Sequence, residues 1–368
     1  MRCIIWSDRG NEARSEYSLY LLNNWYKSLR VQISATRNKT LKIGLVGLGN
    51  WAKSVYLPIL LKREDVDIVA VSARTTETLN SAKSLINNEV ELYADYRDLL
   101  GKTDVDAVFI GLPKDVTAAA TIDAVQSGKH VFVEPPLFLG KRFSLLENLI
   151  SSSGKSFHVD VELNYLPIIE RCKEILQNNN LGELITSKIE LGVDWGSTSE
   201  ANKYTIMENV IGLSTWYISL FDMFNCSPVK SAIYTSPNQK TPDIGSIKVQ
   251  YQNGCRGEWQ FNLRDYPNPN LNCELTLTNG TIKCDLLKGL LEYHIQDGKI
   301  IKETHLEQNL NPAIAESIGF AGMQESVNEF IDSIYSARRD GLFDLQKYRN
   351  VKDIHSMLYS YLSLEEPS

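Results

Sequence analysis

The residues best placed to do acid-base chemistry lie in two short stretches, VFVEPPLFLG at 131–140 and FHVDVELNYLP at 157–167. In the first, an apolar strand ends in one carboxylate, Glu134, followed by Pro135 and Pro136, two residues that cannot donate a backbone hydrogen bond. In the second, period-two alternation predicts a strand with Asp160, Glu162 and Asn164 on one face and Val159, Val161 and Leu163 on the other. Two carboxylates on one strand face beside a cleft are candidate general acids or bases. Tyr165 adds a phenol that can donate a proton if its pKa is lowered or a relay serves it. Each of these residues has a purely structural reading of equal weight.

A second pattern indicates what such groups would act beside. In LKIGLVGLGNWAKSVYLPIL, Ile43, Leu45 and Val46 predict a buried strand, and Gly47, Gly49 and Ala52 follow as G-x-G-x-x-A at the mouth of a helix. This is the spacing of a dinucleotide-binding turn: Gly47 permits the tight bend, Gly49 the approach of a pyrophosphate, and Ala52 close packing of helix on strand. Asn50 and Trp51 sit inside the turn. A second strand, DIVAVSA, ends in Ser72, Ala73 and Arg74 with Thr75 next, where NAD-specific domains place an acid for the ribose 2'-hydroxyl. Arg74 can lie on the adenine or pair with a 2'-phosphate, and Ser72 and Thr75 can donate to it. The expected cofactor is NADP(H), with NAD(H) as the lesser alternative; the other reading of Arg74 is an ordinary surface residue.

The elements around these motifs set the frame. The chain has 368 residues, 43% hydrophobic content, a net charge of −7 and a pI near 5.4. That is enough apolar material for two cores, and the acidic balance disfavours nucleic acid as a partner. No apolar run reaches membrane-spanning length. Six scattered cysteines without metal-ligand spacing point to reduced thiols, no bound metal and a cytoplasmic location. Residues 1–40 form a basic extension with Leu19, Leu22, Tyr26 and Leu29 at helical spacing, readable as a targeting presequence, an accessory helix or an early start. The dinucleotide-binding domain is expected over 41–158 and a substrate and oligomerisation domain over 159–368. In the latter, alternating strands with turns at Asn253-Gly254, Asn279-Gly280 and Asp297-Gly298 predict one antiparallel sheet, and a helix from Glu325 is expected to close that domain.

The succession of G-x-G-x-x-A, DYRDLL, DVDAVFIGLP and AVQSGKHVFVEPPL resembles the Gfo/Idh/MocA family of NAD(P)-dependent oxidoreductases over residues 41 to about 360. The resemblance implies an α/β architecture, an N-terminal Rossmann domain plus a C-terminal α/β domain with a large, mostly antiparallel open sheet. It also implies a small-molecule substrate and a homodimer or homotetramer. Leu112, Pro113, Glu134 and Pro135 are then expected at the cofactor, and Lys114 becomes a catalytic candidate because its position borders the nicotinamide ribose in the family. The chain departs from the family twice. Pro135 stands where the family's Glu-Lys-Pro has its lysine, and no histidine occurs around Thr215, Trp216 and Ser219. Asp222 reads as a surface or helix-contact residue, and Trp216 and Tyr217 as either a flat pocket wall or core. His130 is expected to be structural, and His158 structural or within reach of the cleft.

Three functions follow. The first is an NADP(H)-dependent oxidoreductase acting on a carbonyl, imine or conjugated substrate with a non-standard proton donor. The second is an enzyme similar to bacterial biliverdin reductase, which likewise lacks the lysine and histidine. The third is a nucleotide-binding sensor that kept the fold and lost the chemistry.

Overall fold

The computed structural model describes residues 40–365 except 88, 103, 179–180, 195–202, 226, 238–240, 265, 267, 296–297, 306–315 and 337–344. The N-terminal helix expected from Leu19 to Leu29 lies outside the described residues. From Leu41 onward the chain forms one compact unit.

Six short apolar runs build a parallel sheet: β1 (Leu41–Val46), β2 (Val66–Ser72), β3 (Glu91–Tyr93), β4 (Ala107–Ile110), β5 (His130–Val133) and β6 (Phe157–Val159), in the order β3-β2-β1-β4-β5-β6. That order is the Rossmann one. Its central strands carry apolar side chains on both faces because helices cover both. α1 (Asn50–Ser54) and α2 (Tyr56–Leu61) follow β1, α3 (Thr76–Leu85) follows β2, α4 (Tyr96–Lys102) follows β3, and α5 (Lys114–Gln126) and α6 (Phe143–Ser153) follow β4 and β5. Phe109 and Phe132 stack at 4.5 Å between ring centroids in the middle of this sheet.

After α7 (Pro167–Asn178), eight strands form the second sheet: β7 (Leu184–Gly192), β8 (Val229–Thr235), β9 (Ile244–Tyr251), β10 (Arg256–Asn262), β11 (Asn270–Leu277), β12 (Gly280–Asp285), β13 (Leu290–Ile295) and β14 (Ile300–Thr304). Their order is β14-β13-β12-β11-β7-β10-β9-β8, antiparallel except for the β7–β10 pair. Turns at 253–254 and 279–280 join strands as expected; in the third, Gly298 has φ +82° while Asp297 lies outside the described residues. α8 (Lys203–Phe224) packs on the buried face, where Tyr217 stacks on Trp259 at 4.8 Å.

Two expectations need correction. The strand through 157–163 stops at Val159, the sixth strand of the first sheet, and the chain turns into a 3-10 segment over Glu162–Tyr165. Burial of all three polar side chains replaces strand alternation, because each finds a separate partner, described below. The helix expected to close the second domain, α9 (Glu316–Tyr335), instead covers the first sheet: Met323, Val327, Phe330 and Ile331 pack with Ile43, Tyr56, Phe109 and Phe132. The last helix is α10 (Arg349–Leu362). No described helix is long and apolar enough to cross a membrane, and Cys172, Cys255, Cys273 and Cys284 are free thiols.

Candidate active site

The turn after β1 has the geometry its glycines require. Gly47 has φ +92°, and a Cβ there would stand 2.2 Å from the carbonyl oxygen of Gly111, so only glycine fits. Its N–H donates to the Ser72 carbonyl at 2.9 Å, tying the turn to the end of β2. A Cβ on Gly49 would meet nothing within 4 Å, which leaves open space above the turn, while Ala52 is buried beneath it. These residues fit a dinucleotide pyrophosphate. Arg74 is exposed and engages no described side chain. The Thr75 hydroxyl is engaged within α3: it accepts from the Thr78 N–H at 3.2 Å as the helix cap and donates its proton to the Thr78 hydroxyl at 2.8 Å. Ser72 is buried.

Next to the turn lies a cleft of about 410 Å³ lined by Gly49, Trp51, Tyr56, Leu112, Glu134, Pro135, Glu162, Leu163, Trp216 and Tyr217, among others. The ends of β4 and β5 supply Leu112 and Glu134, the 3-10 segment supplies Glu162, and α8 supplies the aromatic wall. Trp216 and Tyr217 are therefore pocket wall as well as core. Pro113 caps α5, Asn50 opens α1 at the surface, and the peptide between Pro135 and Pro136 is cis.

Three carboxyls gather here. Glu134 is 8% exposed, Glu162 5% and Asp160 0%. Burial pushes the Glu134 carboxyl well above the usual range, the charges of Asp160 and Glu162 add to this, and a hydrogen bond with Trp51 opposes it. Glu162 is likewise pushed well up, by burial and then by Asp160, against the Trp216 indole N–H that donates to its Oε2 at 2.5 Å. Burial raises Asp160 to about 6, offset by the Ser326 hydroxyl, which donates to Oδ1 at 2.5 Å, and by His158 and Glu134. Glu134 Oε1 and Asp160 Oδ2 meet no donor from another residue, yet their side chains bond one another. A proton on Glu134 offered to Asp160 would satisfy both.

The remaining candidates fall outside the cleft wall. Tyr165 sits with its ring 5.9 Å from that of His158 and is absent from the lining. Lys114 Nζ pairs with Glu208 of α8 at 2.9 Å, fastening the two halves together. Asn164 accepts from the Ser219 hydroxyl at 3.4 Å. His158 is buried, stacked on Phe132 and bonded to Ser326 at 2.9 Å, so it backs the acid cluster without facing the cleft. His130 Nδ1 accepts from the Ser156 N–H, and burial lowers the ring to about 4, a structural role. Asp222 is not a surface group: it accepts from Asn350 at 3.0 Å and from Tyr251 at 3.4 Å, and burial raises it to about 8.

Sequence reasoning missed Tyr56. It is 1% exposed, lines the cleft beside Gly111 and Glu134, and its hydroxyl has no hydrogen-bond partner. Its position one helical turn beyond Ala52 was the available signal.

Residues 41–157 match the family model described as oxidoreductase family, NAD-binding Rossmann fold (GFO_IDH_MocA). Among curated proteins, oxidoreductase P35 of Formosa agariphila is 21% identical over 327 residues, covering 77% of this chain and 94% of that protein. Two further relatives are matched over only 43% and 42% of their length. Among solved structures, levoglucosan dehydrogenase in complex with NADH and levoglucosan has a TM-score of 0.71 at 16% identity, covering 90% of this chain and 100% of that one. A 3-ketoreductase from Actinomadura kijaniata, in complex with TDP-benzene and NADP, has a TM-score of 0.68 at 15% identity, covering 88% and 98%. At such identities the structures speak for the fold, and the likeness to the Gfo/Idh/MocA oxidoreductases rests on the match of residues 41–157 to that family's NAD-binding Rossmann model.

Proposed function

We propose that the protein is an NADP(H)-preferring oxidoreductase that moves a hydride to or from a small carbonyl, imine or conjugated substrate, with Glu162 as the proton donor in place of the family lysine. The observation that carries this reading is the Glu162 carboxyl, buried on the wall of a cleft that also includes Gly49, Leu112 and Pro135, where burial pushes it well above the usual carboxylate range. Gly47, Gly49 and Ala52 would hold the cofactor's pyrophosphate, and Arg74 a 2'-phosphate. When bound, the cofactor supplies or accepts the hydride.

The chain's own residues do the rest. In the reducing direction, Glu162 gives its proton to the developing alkoxide or amide-like anion, and the Trp216 indole N–H stabilises the carboxylate left behind. Apolar walls exclude water and strengthen both interactions. The Glu134–Asp160 pair, backed by Ser326 and His158, holds a proton reserve one contact deeper. A linear tetrapyrrole fits less well, since its two propionates would find no lysine, arginine or histidine among the described lining residues.

The test is a fluorescence titration with NADPH and NADH, followed by NADPH oxidation against carbonyl, imine and conjugated substrates. NADPH should bind about tenfold tighter or more, a preference that Arg74→Ala erases. Glu162→Gln should cut turnover by roughly a hundredfold or more at unchanged NADPH affinity. Equal affinity for both nucleotides removes the NADP preference, and full turnover in the Gln variant removes Glu162. Tight NADPH binding with no oxidation of any substrate favours the sensor.

A further inference from the structure

The described lining of the cleft holds two carboxyls and no basic side chain. Among its described residues, Glu134 and Glu162 are the ionisable acids, no lysine, arginine or histidine faces them, and Asp160 lies directly behind. The family's cation has become Pro135, so nothing on the protein neutralises the cluster from the cleft side. A second, independent feature lies beside it: the Tyr56 hydroxyl, on a side chain 1% exposed, lines the same cleft and has no hydrogen-bond partner. Buried polar atoms are normally satisfied, so an orphan phenol facing a cavity marks where a ligand atom belongs. The rest of the wall is apolar or aromatic, including Leu163, Leu191, Val193 and Trp216.

We propose that the cleft takes a cationic nitrogen, so that the substrate pair is a small iminium and its amine carried on an apolar body. This rests on the oxidoreductase reading above and narrows its substrate class. A protonated nitrogen donates to a carboxylate of Glu134 or Glu162 and to the Tyr56 oxygen. The acids that repel one another in the free protein then have a counter-ion, and binding releases a proton from the cluster.

The same pairing accounts for the lost lysine. A neutral carbonyl develops negative charge as the hydride arrives, and a proton or a positive group must meet it. An iminium already carries that charge: the hydride forms a C–H bond with its two electrons, the C=N π pair moves to nitrogen, and the product is a neutral amine. Glu162 then protonates the amine. In the opposite direction a carboxylate takes a proton from the ammonium, nitrogen's lone pair re-forms the C=N bond as the hydride leaves, and the iminium is restored. No external acid stronger than a carboxyl is called for in either direction.

An isosteric charge series on the parent protein tests this first. Benzylammonium, benzyl alcohol and benzoate are titrated calorimetrically into the protein with NADP⁺ at saturation, in two buffers of different ionisation enthalpy. Benzylammonium should bind about tenfold tighter than the alcohol, benzoate weakest, and the ammonium enthalpy should depend on buffer because protons are released. Tyr56→Phe and Glu162→Gln should each narrow the gap between ammonium and alcohol. An ammonium affinity equal to or below that of the alcohol, or undetectable at millimolar concentration, overturns the proposal. NADPH-dependent reduction of neutral ketones together with that result would leave the oxidoreductase reading standing; absent nucleotide binding would remove the reading itself.

Discussion

The glycine turn and the acid cleft lie side by side yet were made by opposite rules. In the turn every local preference agrees: glycine where φ is positive, a small residue under the helix, and the Gly47 N–H satisfied by Ser72. Across the cleft, three carboxyls are buried together, a tyrosine hydroxyl is orphaned, and helix α9 presses so close that a Cβ on Gly322 would stand 1.8 Å from the Glu162 carbonyl oxygen. Consistency across levels marks the glycine turn, the part that matches the NAD-binding Rossmann family model. Local violation marks the part where this chain does something of its own.

Substitutions can break that contrast, the largest effect first. Gly47→Ala should destabilise by roughly 3 kcal/mol or more and abolish NADPH binding, because both the positive φ and the contact with Gly111 forbid the methyl; urea unfolding with a parallel nucleotide titration reads both. Gly322→Ala should cost roughly 2 kcal/mol and shift the Glu162 segment. Its turnover should fall while NADPH affinity holds, and unchanged kcat would show that the two regions are not separately built.

The acids make a pH prediction. Their folded pKa values lie above their unfolded ones, so between about pH 4 and 8 the folded protein keeps protons that the unfolded chain has already released, and stability falls as pH rises. Asp160 contributes up to about pH 6 and Asp222 up to about pH 8. Asp222→Asn should flatten the upper part of that slope, seen as a melting temperature that drops less between pH 5 and 8; an unaltered slope would mean that Asp222 is ionised when folded. The smallest effect is expected at Lys114. Its pair with Glu208 is partly exposed, so Lys114→Ala should cost less than about 1 kcal/mol and leave turnover within about threefold of the parent. A large loss of kcat would return Lys114 to the chemistry.

What the sequence disclosed tracks how local the physics was. Gly47, Gly49 and Ala52 were legible because the constraint acts within six residues, and strands of the first sheet showed as short apolar runs. Glu134 and Glu162 were legible as acids but not as a cluster, since Asp160, Glu162 and Asn164 were read on one strand. Ser326, Trp216 and Ser219, each more than 50 residues away, draw them apart. Tyr56 was invisible for the converse reason: a tyrosine in an apolar helix looks like core until the atom opposite its hydroxyl is found to be missing. Tyr165 and Lys114 were singled out by position in a family pattern, and position alone does not say which way a side chain turns.

The return of α9 to the first sheet bears on how the protein is made. The face formed by Ile43, Phe109 and Phe132 is complete once residue 133 has been synthesised, but its cover, Val327, Phe330 and Ile331, leaves the ribosome nearly 200 residues later. At a synthesis rate of about 5–20 residues per second, that face stays uncovered for roughly 10–40 seconds. Throughout that interval, in which all eight strands of the second sheet are made, the nascent first domain carries an aromatic face that only the late helix can cover.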